Sequence, residues 1–169
     1  MNIQKLFLGF FGTGQMPRPG VTASLLALLI ALPLLQLLGM ETLFMLTFVI
    51  TIIGLFETNK YLAKYPESDG EEITIDDVAG VWLSLMVTLP TALTLNTSYG
   101  LWIGTVAAFV SFTLFQIWKP STIGWMHRTL KGGLGIMLSS ALSGIAGGLL
   151  SALILTGAAT LLRHFTFSG

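Results

Sequence analysis

The distribution of charge along the chain is the feature that most constrains its fold. Runs without Asp, Glu, Lys or Arg extend over residues 19–40, 42–56, 78–118 and 132–162. A helix needs about 20 apolar residues to cross the hydrocarbon of a bilayer. Only 9% of the residues are charged and 53% are hydrophobic, whereas roughly a quarter of the residues of a soluble domain are charged. These runs predict an integral membrane protein.

The runs divide into five predicted helices, at about 21–38, 42–61, 71–95, 101–118 and 134–162. The long third run is split by Asn96-Thr97-Ser98-Tyr99-Gly100, a typical turn composition. The second helix is short for a span, and the fifth is long enough to lie partly in the interface. Because a backbone in lipid must satisfy its own hydrogen bonds, we expect an all-α membrane bundle formed by one domain over residues 1–169.

The cations predict the orientation of this bundle. With five spans, Lys and Arg residues up to Lys131 lie on the side of the N-terminus, and the two opposite loops, 39–41 and 96–100, contain none. By the positive-inside rule that side is cytoplasmic. We therefore expect three polar segments to meet on the cytoplasmic face. No nucleic-acid partner is expected, and the absence of cysteine excludes disulfides.

The first polar segment, residues 12–24, is a Gly- and Pro-rich entry into the first predicted helix. The first amides of a helix lack intrahelical partners, and together with Arg18 they are suited to bind an anion. The alternative is an interfacial turn in which Arg18 extends toward the headgroups.

The middle segment, residues 69–80, concentrates the carboxylates. Asp69 with Glu72 resembles a capping box, which accounts for acids at a helix start but not for Asp76 and Asp77. Glu72 and Asp76 are four residues apart, which predicts that they share a helical face. Oxygen ligands of this kind suit Mg²⁺. We therefore predict that Glu72, Asp76 and Asp77 are metal ligands and catalytic residues.

The third segment, residues 112–144, supplies cations and glycines. Its predicted phosphate-binding residues, in addition to Arg18, are Lys119, Arg128, Lys131, Gly132 and Gly133. His127 is a candidate base or ligand, although a lone interfacial histidine is also typical of a simple polar contact. A basic re-entrant loop against anionic lipid explains the segment equally well.

Three motifs in order carry a family resemblance. They are Pro-Gly-x-Thr-x-Ser at 19–24, Glu-Ile-Thr-Ile-Asp-Asp-Val-Ala-Gly at 72–80, and a third that begins Phe-Thr-Leu-Phe-Gln-Ile-Trp-Lys-Pro at 112–120 and continues through Gly-Gly-Leu-Gly-Ile-Met at 132–137. From about residue 12 to 144 the chain resembles the bacterial phosphatidylglycerophosphatase A family. The resemblance implies a Mg²⁺-dependent inner-membrane enzyme that hydrolyses the terminal phosphate of phosphatidylglycerophosphate to give phosphatidylglycerol.

The third motif departs from the family pattern. Members usually carry aspartates where this chain has Gln116, His127 and the pair Ser139-Ser140. Neutral oxygens hold a hard cation less firmly than carboxylates do, so the resemblance implies weakened or altered activity. A catalytically silent relative that binds anionic lipid is the alternative. An unrelated transporter is less favoured, because the chain lacks duplicated halves.

The oligomeric state is left open by the sequence. Gly144, Gly147 and Gly148 allow close helix packing, either within one chain or between chains.

Overall fold

The computed structural model describes residues 3–68, 70–95, 98–118, 120, 123–125, 129, 130 and 132–167, with side chains as far as residue 161. The described residues form helices and connecting turns and contain no strand. The helical segments with at least six described residues are α1 (Ile3–Leu8), a 3₁₀ segment (Phe10–Gln15), α2 (Pro19–Lys64), α3 (Ile75–Thr94), α4 (Gly100–Trp118) and α5 (Gly133–Phe167). Helices α2 to α5 are each long and apolar enough to cross a membrane. The predicted all-α membrane bundle is therefore confirmed.

Helix α2 is a hairpin formed by two of the predicted helices. Its 46 residues would extend about 69 Å if the helix were straight. Instead, Gly20 lies beside Asp77 and Gly54 lies beside Ile75, so both arms reach the same level of α3. The break is at Gly39, where φ is 82° and ψ is 174°. Glycine accepts this positive φ without a steric penalty, and the chain reverses there.

Helix α3 is the centre of the bundle, and its residues 75–82 are all buried. Polar side chains tie it to its neighbours. The indole of Trp82 donates to Ala27 O of α2 at 2.9 Å, and Ser84 Oγ donates to Ala108 O of α4 at 3.0 Å. Interhelical hydrogen bonds of this kind contribute on average about 0.6 kcal/mol in a membrane protein. They fix the rotation of α3 and hence the direction of the carboxylates at its start.

Gly144, Gly147 and Gly148 of α5 pack within the chain. A Cβ on Gly144 would collide with the backbone carbonyl of Gly80 in α3, and a Cβ on Gly147 would lie 2.8 Å from the backbone nitrogen of Phe112 in α4. On Gly148 it would lie 3.0 Å from Ser84 O. These three glycines therefore make contacts inside one molecule, and the contacts bring α5 against both α3 and α4.

The predicted start of the third helix at residue 71 is wrong. Residues 70–74 form a turn and an irregular connection, and α3 begins at Ile75. The amide of Ile73 donates to Gly70 O at 3.0 Å, and that of Thr74 donates to Leu8 O at 2.8 Å. Because the N-terminal segment takes up the Thr74 amide, helical hydrogen bonding starts later than the run of acids indicates.

Candidate active site

The first and middle polar segments meet beside the start of α3. Thr13 and Thr74 share a hydrogen bond between their hydroxyl oxygens at 3.0 Å, and both side chains are buried. A Cβ on Gly14 would collide with the carbonyl of Glu72. The 3₁₀ segment therefore packs closely on the 72–74 connection and holds it in place. The expected convergence of the polar segments begins at this contact.

Two adjacent carboxylates lie in the first turn of α3. Asp76 and Asp77 are each 5% exposed. Ser140 of α5 donates its hydroxyl to Asp76 Oδ2 at 2.5 Å. Gln116 of α4 donates Nε2–H bonds to Asp77 Oδ1 at 2.6 Å and to Ser140 Oγ at 2.9 Å. Three helices thus contribute to one buried hydrogen-bond network.

The direction of each bond in this network follows from the donors present. The Gln116 amide nitrogen carries two hydrogens, and these bonds use both. Ser140 accepts one of them and donates its single hydrogen to Asp76. Asp76 Oδ2 and Asp77 Oδ1 are therefore acceptors, and two neutral groups help to hold a pair of buried acids together. Gln116 and Ser140 occupy positions at which the family pattern described above has aspartates.

Asp77 also borders the start of α2. A Cβ on Gly20 would lie 2.5 Å from Asp77 Oδ2, so glycine is required for this close approach. The preceding Arg18 has φ 57° and ψ 64°, a left-handed conformation that is uncommon outside glycine and is enriched at ligand sites. Arg18, Gly20, Asp77 and Gln116 border one cavity of about 560 Å³, so a cation and a carboxylate line the same cavity. The first, middle and third motifs therefore share a single site.

Glu72 lies elsewhere, contrary to the prediction that it shares a helical face with Asp76. Tyr61 and Ser68 each donate a hydroxyl to Glu72 Oε1 at 2.7 Å. Burial alone would raise the pKa of Glu72, but these two hydrogen bonds and the charge of Lys5 outweigh it and hold the pKa below its ordinary value. Glu72 borders a separate cavity of about 250 Å³ together with Lys5 and Tyr61. The cause of the wrong prediction is the late start of α3.

Gly132 and Gly133 are not brought to the Asp77 cavity. The Gly133 amide donates to Asn59 Oδ1 of α2 at 2.8 Å, so the side chain of another helix satisfies an amide at the start of α5. A Cβ on Gly132, where φ is 72°, would also collide with Asn59 Oδ1. In this structure the two glycines serve to dock α5 on α2.

The structure does not describe four further residues of the predicted site. These are Lys119, His127, Arg128 and Lys131, and the predicted cap Asp69 also lies outside the described residues. Ser139, the neighbour of Ser140, donates its hydroxyl to Ile136 O within its own helix at 2.9 Å. The Ser140 hydroxyl bonds to an acid of α3, Asp76.

Several residues with clear structural roles were not predicted. Asn59, Tyr61 and Ser68 follow the second apolar run, and the only sequence signal they give is a polar stretch at a helix end. Thr13 and Thr74 give none, because a buried threonine pair 61 residues apart has no local pattern. Contacts of this type depend on how α2 folds back at Gly39.

The donor set next to Asp77 fits one hard cation. Within the described ranges no three acids or histidines form a cluster that would enclose a metal ion. However, Mg²⁺ is commonly held by one or two carboxylates, with waters and substrate phosphate completing its shell. Gln116 Oε1 is buried and has no hydrogen-bond partner among the described residues, which leaves a further oxygen beside the pair. The residues therefore fit a Mg²⁺ site in which the protein supplies only a few of the ligands.

The fold and the site define a helical membrane protein with a buried acid pair, of which Asp77 lines a cavity. The family model for phosphatidylglycerophosphatase A matches residues 6–155, and the chain belongs to this family. Phosphatidylglycerophosphatase A of Escherichia coli strain K12 is 30% identical over 139 residues, covering 80% of this chain and 73% of that protein. The Haemophilus influenzae protein of the same name is 29% identical over 136 residues, covering 80% and 78%.

A third relative bears a different name. A Bacteroides thetaiotaomicron protein, named as a candidate phosphatidylinositol-3-phosphatase, is 31% identical over 140 residues, covering 80% of this chain and 82% of its own length. No solved structure matches the chain.

Proposed function

We propose that this protein is a membrane lipid phosphatase that hydrolyses the terminal phosphate of phosphatidylglycerophosphate. Water adds to phosphorus, the bond between phosphorus and the headgroup oxygen breaks, and phosphatidylglycerol and inorganic phosphate leave. Two relatives are named phosphatidylglycerophosphatase A, and the family match covers most of the chain. These comparisons support phosphatase activity and do not favour the alternative that the chain is a catalytically silent relative.

The observation that carries the proposal is the position of Asp77. It is the acid that borders the cavity of about 560 Å³, and Arg18 borders the same cavity. In the proposed reaction Arg18 binds the phosphate and Asp77 orients the attacking water. Asp76 is equally buried and bonded to Ser140, and it supports Asp77 through the shared hydrogen-bond network. Gln116 fixes the carboxylate of Asp77 through its amide.

The proposed cofactor is Mg²⁺, held by Asp76 and Asp77. Bound there, it would offset the negative charge of the phosphate and of the leaving oxygen, which is the usual contribution of a metal ion to phosphoryl chemistry. With only two carboxylates available, we expect weak binding that is completed by the substrate phosphate. Glu72 is not proposed as a metal ligand, because its carboxylate oxygen Oε1 already accepts hydrogen bonds from the hydroxyls of Tyr61 and Ser68.

The site is proposed to face the cytoplasm. The start of α2, the start of α3 and the end of α4 meet at Asp77, and the Lys- and Arg-containing segments lie on that side of a five-span arrangement. Phosphatidylglycerophosphate is an anionic phospholipid, and the cations of these segments suit it.

Phosphate release by purified protein tests the proposal. The panel contains phosphatidylglycerophosphate, phosphatidylinositol 3-phosphate and phosphatidate, with Mg²⁺ or with chelator. We expect release from phosphatidylglycerophosphate, reduced by at least about 100-fold in Asp77→Asn. Glu67→Gln, a change of an exposed acid, is the control. Equal release by wild type and Asp77→Asn would reject the site, and no release from any lipid by wild type would favour the silent relative.

A further inference from the structure

The cavity beside Asp77 extends beyond the reacting groups. Helices α2 and α4 both pack on α3 but make few contacts with each other, and the cavity lies between them. Its volume of about 560 Å³ is within the usual range of small-molecule sites. A phosphate with its water needs only the part next to Arg18 and Asp77, so the rest of the volume requires another occupant.

The chemistry of the walls changes along α4. Gln116 belongs to the polar end through its bond to Asp77. Phe109, seven residues earlier and about 10 Å away along the helix axis, lines the same cavity. Val21 forms an apolar part of the opposite wall on α2. The cavity is thus amphipathic, with ionic groups at one end and aromatic and aliphatic side chains further along.

The cavity reaches the bilayer-facing surface of the bundle beside Gln116. Ile117, which lines the cavity, is 75% exposed, and its neighbour Trp118 is 70% exposed. In a membrane such side chains face lipid. An opening beside the polar end would let the phosphate reach Arg18 and Asp77 while an acyl chain enters the apolar part of the cavity from the bilayer.

We propose that the cleft between α2 and α4 binds an acyl chain of the lipid phosphate and admits the lipid sideways from the bilayer. The phosphate lies at Arg18 and Asp77, and the chain runs past Val21 and Phe109. This inference rests on the phosphatase function proposed above, because it assigns the apolar part of that same site.

Photocrosslinking tests the binding without requiring catalysis. The probe is phosphatidate with a diazirine in one acyl chain, incorporated in phosphatidylcholine nanodiscs with the wild-type protein. We expect adducts concentrated in residues 19–24 and 109–117, and at least about a tenfold loss of these adducts when unlabelled phosphatidate is added but not when phosphatidylcholine is added. Adducts spread evenly over the exposed faces of α2, α4 and α5, without competition, would overturn the proposal.

Two matched substitutions test the route. Val21→Trp fills the cleft, whereas Val110→Trp places the same bulk on an exposed position of α4 that lines a different groove. We expect Val21→Trp to remove the cleft adducts and Val110→Trp to leave them unchanged. Thr113→Phe fills the cleft from the α4 wall and serves if Val21→Trp does not fold. Adducts that persist in both cleft variants would reject the assignment.

Kinetics then separates the two proposals. With dihexanoyl and dipalmitoyl phosphatidylglycerophosphate, wild type should favour the longer chains, and Val21→Trp should reduce kcat/KM for the dipalmitoyl lipid about tenfold more than for the dihexanoyl lipid, since lost chain contacts act through buried methylenes. An equal reduction for both lipids would reject the acyl-chain subsite. If wild type releases no phosphate from either lipid, the phosphatase proposal fails, and the crosslinking pattern still decides whether the cleft binds lipid.

Discussion

Ser140 Oγ donates a 2.5 Å hydrogen bond to Asp76 Oδ2 between residues 64 positions apart in the chain. Both side chains are buried, and they belong to α5 and α3, whose backbones approach closely at Gly144 and Gly80. The resemblance to the family indicates an acid at position 140, so a neutral donor here changes how the pair is stabilised. A hydroxyl donates a hydrogen bond to Asp76, whereas a carboxylate at 140 would repel the Asp76 carboxylate.

Ser140→Ala should destabilise the protein by about 1–3 kcal/mol, because it removes a donor from a buried carboxylate. Thermal unfolding in detergent measures this loss. Ser143→Ala is the control, since Ser143 is equally buried in α5 but donates to the backbone carbonyl of Ser139. A smaller loss in Ser140→Ala than in Ser143→Ala would contradict the importance of the bond to Asp76.

Restoring acids at the two contacting positions should create cation dependence. In the variant Gln116→Asp with Ser140→Asp, four carboxylates would lie together and repel one another in chelator, and Mg²⁺ should offset the repulsion. We expect a thermal midpoint below that of wild type in chelator, a larger rise on adding Mg²⁺, and increased Mg²⁺-dependent phosphate release.

Gln15→Asp is the control for that variant, because it adds an acid at an exposed position of the 3₁₀ segment. It should gain less Mg²⁺ stabilisation than the double variant. A double variant that folds but binds no more Mg²⁺ and releases no more phosphate would show that these acids are not what the site lacks.

Gly20→Ala should lower activity by roughly 10- to 100-fold, because its Cβ would lie 2.5 Å from Asp77 Oδ2 and small displacements of a catalytic group are costly. Gly157→Ala is the matched control, since a Cβ at Gly157 meets nothing within 4 Å and alanine favours helix. Phosphate release with thermal unfolding distinguishes a displaced carboxylate from a misfolded protein. Full activity in Gly20→Ala would mean that Asp77 need not contact α2.

Glu72 should contribute stability that depends on pH. Its pKa is lowered from the ordinary 4.5, so the contribution is present above pH 4.5 and is lost as the pH falls through the lower, folded-state pKa. The difference in thermal midpoint between wild type and Glu72→Gln should therefore shrink in acid. Tyr61→Phe removes one donor and should move this loss to higher pH. A difference that stays constant from pH 7 to the acid limit of folding would contradict the assignment.

The absence of cysteine allows a direct test of topology. Single cysteines at Glu67, Glu41 and Tyr99 lie at exposed positions in three connections. In the five-span arrangement Glu67 should react with an impermeant reagent from the cytoplasmic side, and Glu41 and Tyr99 from the opposite side. Labelling of Glu67 and Glu41 from the same side would reject the α2 hairpin as a pair of spans.

The helices were predictable because their cause is local. Apolar runs set α4 at Gly100–Trp118 and α5 from Gly133, each within one residue of the predicted start. The start of α3 was not predictable, since it depends on the Thr74 amide bonding to Leu8 O. The middle motif predicted Asp76 and Asp77 as site residues. The roles of Gln116 and Ser140 as hydrogen-bond donors were not predictable, because they depend on the contact of three helices. Composition carries no information about such contacts.

The hairpin at Gly39 also bears on how the chain enters the membrane. Residues 19–56 contain one ionisable side chain, Glu41, next to the tip. We expect the two arms to enter together during synthesis, because only this carboxyl group and the turn must be carried across. Arg18 then remains on the side of the membrane where the ribosome is. Helix α3 is synthesised afterwards, and it brings Asp77 beside Gly20 of the hairpin that has already been inserted.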